Sequence, residues 1–172
     1  MSVAEAGRPE RHARDIASPY TVLVDLLLLY TRGDHLLVGL RRGGFAANQW
    51  DSLSGKLVPG EALEHGMAWE AYEETCLRLP PAQLRLVAMT HWHPPDGVPR
   101  IGVFFHLEVE VDPAVHGEPV IAEPAKCAEL RWSPLDVLPK PLLRDTEIGV
   151  ELYRSGRVYA AVDWPAGSDG RR

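Results

Sequence analysis

Gly55-Lys-Leu-Val-Pro-Gly-Glu61-Ala-Leu-Glu-His-Gly-Met-Ala-Trp69-Glu70-Ala-Tyr-Glu73-Glu74-Thr-Cys76-Leu77 is the stretch on which the reading of this chain turns. A glycine is followed six positions later by a glutamate, and after a helix-compatible interval come Glu70, Glu73 and Glu74. At about 100° per residue, spacing of i, i+3 and i+4 predicts one helical face for all three. Like charges so placed repel by roughly a few tenths of a kcal/mol per neighbouring pair. A fold tolerates the stripe most easily with a cation among the carboxylates, and their oxygens suit a hard ion such as Mg²⁺. A solvated acidic helix face is the bland alternative. The upstream Gly-x5-Glu at the matching interval weighs against it.

With its flanks, this stretch resembles the signature box of the Nudix hydrolase family: Gly, five residues, Glu, seven residues, Arg-Glu, an aliphatic residue, any residue, Glu-Glu, any residue, Gly, an aliphatic residue. Gly55, Glu61, Glu70, Ala71, Glu73, Glu74 and Leu77 stand at the required intervals. Two positions depart. Trp69 stands where the family has Arg, and Cys76 where it has the second Gly. The resemblance implies an α/β fold, a Nudix-type α/β/α sandwich with a mixed β-sheet between helices. It implies Glu70, Glu73 and Glu74 as ligands of Mg²⁺ or Mn²⁺, with Glu70 or Glu73 doubling as catalytic base. By the same resemblance the box Arg braces Glu61, so here Glu61 is expected to turn to Lys56, another cation or water. Trp69 either weakens that bracing or packs on the sheet. A positive φ at Cys76 would cost about 1 kcal/mol, so the helix is expected to run past it to Leu79.

The rest of the chain is consistent with one domain. Its 172 residues are 45% hydrophobic and 24% charged, ordinary for a globular core. A net charge of −6 gives no reason to expect a nucleic acid polymer as partner. Two cysteines, Cys76 and Cys127, make no disulfide framework. The longest apolar run, Val22 to Tyr30, is interrupted by Asp25 and is far short of the roughly 20 residues that span a bilayer. The N-terminus carries no apolar segment of the kind that directs export, so a cytoplasmic location is expected.

Residues 1–18 read as a flexible arm, 19–164 as the Nudix domain and 165–172 as a tail. Apolar runs at 20–31 and 35–41 flank Arg32-Gly33-Asp34, a hairpin signal. A glycine-rich loop over 43–61 holds a short strand at 50–53. The helix is expected from 62 to about 78, ended by Pro80-Pro81. Strands follow at 83–91 and 101–111 across a turn at Pro94-Pro95-Asp96-Gly97, then at 127–132. A second helix is expected from Pro141 to Ser155, with Gly156 after its end, and a last strand at 158–162.

Further candidates lie outside the box. Arg41 and Arg42 precede the glycine loop. By resemblance to a family branch that reads Leu-Arg-Arg there, they are expected on substrate phosphates; exposed hairpin charge is the alternative. His91 and His93 alternate on one strand and are candidates for substrate binding, against a plain strand end. The run Glu123-Pro-Ala-Lys126-Cys127 resembles a second stretch of the same branch, and Glu123 is a candidate catalytic acid or base, against a turn residue before Pro124. Trp50, Phe104 and Phe105 are expected in the core. Together these predict a Mg²⁺-dependent pyrophosphohydrolase of a nucleoside di- or triphosphate or a related X-linked diphosphate, with no membrane partner. Dimers are common among proteins of this type. The alternatives are a nucleotide-binding sensor with little turnover and a purely structural domain.

Overall fold

The computed structural model describes residues 21–44, 46–94 and 97–164. The expected N-terminal arm, the tail and part of the Pro94–Gly97 turn lie outside these. Among these residues nine strands, three α-helices and a short 3-10 turn follow in chain order. β1 (Leu23–Leu29), β5 (Leu53–Lys56), β6 (Leu84–Trp92), β7 (Arg100–Leu107) and β9 (Tyr159–Val162) form one mixed sheet in the order β5-β1-β7-β6-β9. β1 runs parallel to β7, and β6 parallel to β9. A second, antiparallel sheet is built on β3 (His35–Arg41), which pairs with β2 (Thr31–Arg32), β4 (Trp50–Asp51) and β8 (Cys127–Pro134).

β1 shows why the first sheet is central. Its run of leucines has no polar alternation because both faces are buried. Leu26 and Leu28 join Met67 and Ala71 of α1 (Leu63–Thr75) in one apolar cluster. Leu27 and Leu29 join Phe104 and three residues of α3 (Arg144–Ser155), Ile148, Val150 and Leu152, in another. The sheet therefore lies between the two helices, the expected layering. A Cβ on Gly149 would come within 2.0 Å of the Phe104 ring, so a glycine at that turn of α3 lets the helix settle on the sheet. Trp50, Phe104 and Phe105 are buried, as expected. Among the described residues no helix is long and apolar enough to cross a membrane.

Several boundaries differ from the sequence reading. The hairpin at Gly33 joins only β2 to β3, while β1 pairs with β5 and β7. The strand expected at 50–53 splits, and its second part continues to Lys56. β7 stops at Leu107, and a single turn, α2 (Pro113–His116), follows. α3 begins at Arg144 and not at Pro141, because the Pro141 carbonyl accepts from Trp50 N and Leu143 N donates to Trp50 O. The largest correction concerns α1. It ends at Thr75, and Cys76 is its C-cap in the left-handed conformation, φ 60° and ψ 13°. Cys76 takes the backbone shape for which glycine is favoured at a helix end. Beyond it Leu77 and Leu79 are buried while Arg78 and Pro80 are exposed, an extended alternation that the helix would have broken.

Candidate functional site

α1 lies beside β5, the edge strand of the central sheet. Leu57 N donates to Val24 O of β1, so by strand alternation Gly55 N also faces β1 and the amides of Ser54 and Lys56 point outward from the sheet. Ser54 N donates to Glu74 Oε2 at 3.0 Å, and Lys56 N to Glu70 Oε1 at 3.2 Å. Residues two apart on a strand and four apart on a helix thus meet in register. The approach needs Gly55, where a Cβ would sit 1.7 Å from the Glu70 carboxyl carbon.

The three carboxylates of the helix do not share one environment. Met67, Ala71 and Thr75 form its buried stripe. At about 100° per residue Glu74 lies next to that stripe, Glu70 on its shoulder and Glu73 about 60° farther out. Accordingly Glu70 and Glu74 are partly buried and Glu73 is exposed. Among the described residues no three His, Cys, Asp or Glu side chains form a ready-made metal cage. The triad Glu70, Glu73 and Glu74 expected from spacing is therefore two inward carboxylates and one outward.

Glu70 and Glu74 line a cavity of about 530 Å³ with Glu123, Arg41, Arg42, Lys56, Lys126 and Asp51. Glu123 and both arginines thus lie on one cavity with Glu70 and Glu74, and Asp51, Lys56 and Lys126 are the further charged residues that line it. Burial pushes the Glu74 carboxyl up to about 8, and the charges of Asp51 and Glu70 push the same way. Burial also raises Glu70, against the pull of the Lys56 amide. Asp51 is buried on β4 and raised by desolvation, although Thr146 Oγ1, Ser54 Oγ and Arg41 Nη1 all donate to it.

An adjoining cavity of about 230 Å³ shares Arg41, Asp51, Ser54, Gly55 and Lys56 and adds Asp25, Trp92, Arg100 and Asp145. Asp145 is 3% exposed and accepts from Thr90 Oγ1 at 2.7 Å. Burial lifts its carboxyl to about 7. No periodicity marks Asp25, Asp51 or Asp145, because they sit on β1, β4 and α3 and meet only through packing across the chain.

Other expectations fall elsewhere. His91 and His93 line neither cavity; their rings stand 4.3 Å and 5.1 Å from that of Trp164. His91 lies on β6 between β7 and β9, at the side of the sheet away from β5. Glu61 precedes α1 and makes no ion pair with Lys56 among the described residues. Its Oε2 lies 2.8 Å from where a Cβ on Gly66 would sit, against the helix's first turns. Trp69 is 57% exposed and leans on Tyr72 at 6.0 Å, so it does not pack on the sheet.

The family described as NUDIX domain matches residues 19–155. The NAD-capped RNA hydrolase NudC of Stutzerimonas stutzeri (strain A1501) is 30% identical over 135 residues, covering 77% of this chain and 45% of that protein. The chain thus spans less than half the length of this relative. The MutT NUDIX hydrolase from Burkholderia pseudomallei has a similar structure, with a TM-score of 0.67 at 24% identity over 77% of this chain and 98% of that one. So does a bifunctional NMN adenylyltransferase/ADP ribose pyrophosphatase from Francisella tularensis, solved with AMP and a Mn ion. Its TM-score is 0.62 at 20% identity, over 81% of this chain and 44% of that one.

Proposed function

The chain belongs to the Nudix family, and from that premise we propose that it is a metal-dependent pyrophosphohydrolase of a nucleoside di- or triphosphate or a related X-linked diphosphate. The observation that carries this reading is one cavity in which Glu70, Glu74 and Glu123 face Arg41, Arg42, Lys56 and Lys126. Carboxylates suit a hard cation, and guanidinium and ammonium groups suit phosphate oxygens.

The donor set fits a divalent ion. It is all oxygen. Glu70 and Glu74 each spend one oxygen on a β5 amide and keep the other. The raised Glu74 carboxyl marks a buried group short of positive charge. In this reading Glu70, Glu74 and Glu123 would hold Mg²⁺ or Mn²⁺, and Glu73 would contribute from outside the cavity. The ion, when bound, neutralises phosphate charge and acidifies a water. Arg41 and Arg42 hold the phosphates. Of the two candidate bases, Glu70 would take the proton of the attacking water, because Glu73 points away. The adjoining cavity with Asp25, Arg100, Asp145 and Trp92 receives the rest of the substrate.

Phosphate release from a panel of nucleotides and sugar-linked diphosphates, with Mg²⁺ and with Mn²⁺, tests the assignment. Glu74→Gln should lower turnover at least about 100-fold, and Glu73→Gln about 10-fold or less. Nucleotide-dependent stabilisation without release from any substrate would instead establish a binding module.

A further inference from the structure

Glu123 and Lys126 close a tight turn at the mouth of the larger cavity. Lys126 N and Cys127 N both donate to Glu123 O at 2.9 Å, and Arg42 N donates to Lys126 O at 2.6 Å. The backbone of the turn is thus pinned to itself and to the chain after β3. Its two side chains meet, with Lys126 Nζ 2.7 Å from Glu123 Oε1.

Acidic and basic side chains are equal in number around the cavity. Four carboxyl groups, on Asp51, Glu70, Glu74 and Glu123, face four cationic side chains, on Arg41, Arg42, Lys56 and Lys126. The partners differ in how firmly they are held. Glu70 and Glu74 are bound to strand amides, and Asp51 is bound to Arg41 in the interior. Glu123 is bound to a lysine that is 73% exposed. With its lysine largely in solvent and its glutamate partly buried, the pair contributes little and parts at modest cost. Its lysine has a flexible four-carbon stem that can carry the ammonium to another anion.

We propose that Lys126 is an exchangeable counter-ion: it neutralises Glu123 in the free protein and, when a divalent cation takes Glu123, is released onto the anionic phosphate of the substrate. The exchange couples the two ligands. Lys126 competes with the cation alone and favours cation and phosphate together, so each strengthens the other's binding. The inference rests on the hydrolase reading above and adds the order in which the site's charges change partners.

Calorimetry tests it with Mn²⁺ and with an α,β-methylene nucleoside diphosphate, on the wild type, Lys126→Gln, Glu123→Gln and the double variant. Lys126→Gln should bind Mn²⁺ alone roughly two- to fivefold more tightly. With Mn²⁺ present it should bind the analogue more weakly by a similar factor. In the Glu123→Gln background Lys126→Gln should leave Mn²⁺ affinity unchanged. Lys56→Gln controls for the general field of a lost cation, and its effect on Mn²⁺ should be smaller. The proposal is overturned if the effect of Lys126→Gln persists without Glu123, if it equals that of Lys56→Gln, or if analogue affinity does not fall. Any of these outcomes in the variants of a wild type that hydrolyses nucleotides sinks the counter-ion alone. A wild type that binds neither Mn²⁺ nor the analogue sinks the hydrolase reading with it.

Discussion

Single residues carry the departures from the family pattern, and the structure sorts them. Cys76 keeps the left-handed backbone that the family's glycine adopts without strain, φ 60°. An L-residue there is strained by roughly 1–2 kcal/mol, offset in part by the entropy a glycine would lose on folding. Cys76→Gly should therefore stabilise the fold by about 1 kcal/mol and raise Tm by about 2–4 °C. A melting temperature that falls would show that the cysteine side chain has a compensating contact. Trp69 could be placed on the helix from spacing alone, but not its exposure. That depended on which stripe of α1 meets the sheet, and Met67, Ala71 and Thr75 were too weakly patterned to declare it. The same gap explains Glu73. The i, i+3, i+4 rule located three carboxylates on one side, and only the orientation of the core stripe divides them into inward and outward.

Elements with strong local signals were legible: α1 as a helix, β3, β6, and the Gly156 end of α3, where Gly156 is left-handed with φ 69°. Their ends were less so wherever a distant segment decided them. α1 stops because Leu77 and Leu79 are needed in the core, and α3 starts late because Trp50 takes the Pro141 carbonyl. The contact between α1 and β5 is the element-level basis of the candidate site, and Gly55 sets its closeness. In Gly55→Ala the new methyl would occupy the position of the Glu70 carboxyl. The strand and helix must part or Glu70 must turn away, and a displacement near 1 Å can cost about 100-fold in rate. Expected for Gly55→Ala is a folded protein with turnover reduced about 100-fold and weaker Mn²⁺ binding by calorimetry. Wild-type values for both would mean that Glu70 is not the gripped, functional carboxylate.

At the scale of the whole molecule, acidic groups are enclosed between sheet and helices, and this makes stability depend on pH. The α3 N-terminus favours a charged Asp145 by about 1 kcal/mol, but burial outweighs it and lifts the carboxyl from 3.8 to about 7. A carboxyl raised on folding binds its proton more tightly in the native state. Its contribution is full below the unfolded value near pH 4 and is lost as pH rises through about 7. Asp145→Asn should therefore gain on the wild type between pH 5 and pH 8, by an amount on the order of a few kcal/mol. Thermal melts of both proteins across that range check this, and a gap that stays constant with pH would sink it. Pairings such as β1 with β7 and β6 with β9 join segments far apart in the chain and left no local trace to read. The pairing of α1 with β5 has one more effect. β5 is an outer strand, and its outward amides at Ser54 and Lys56 are the groups through which a strand from another chain could add. Glu70 and Glu74 occupy both. The carboxylates assigned to chemistry also guard the sheet against self-association, so a chain with alanine at both positions should form aggregates on heating where the wild type stays monodisperse.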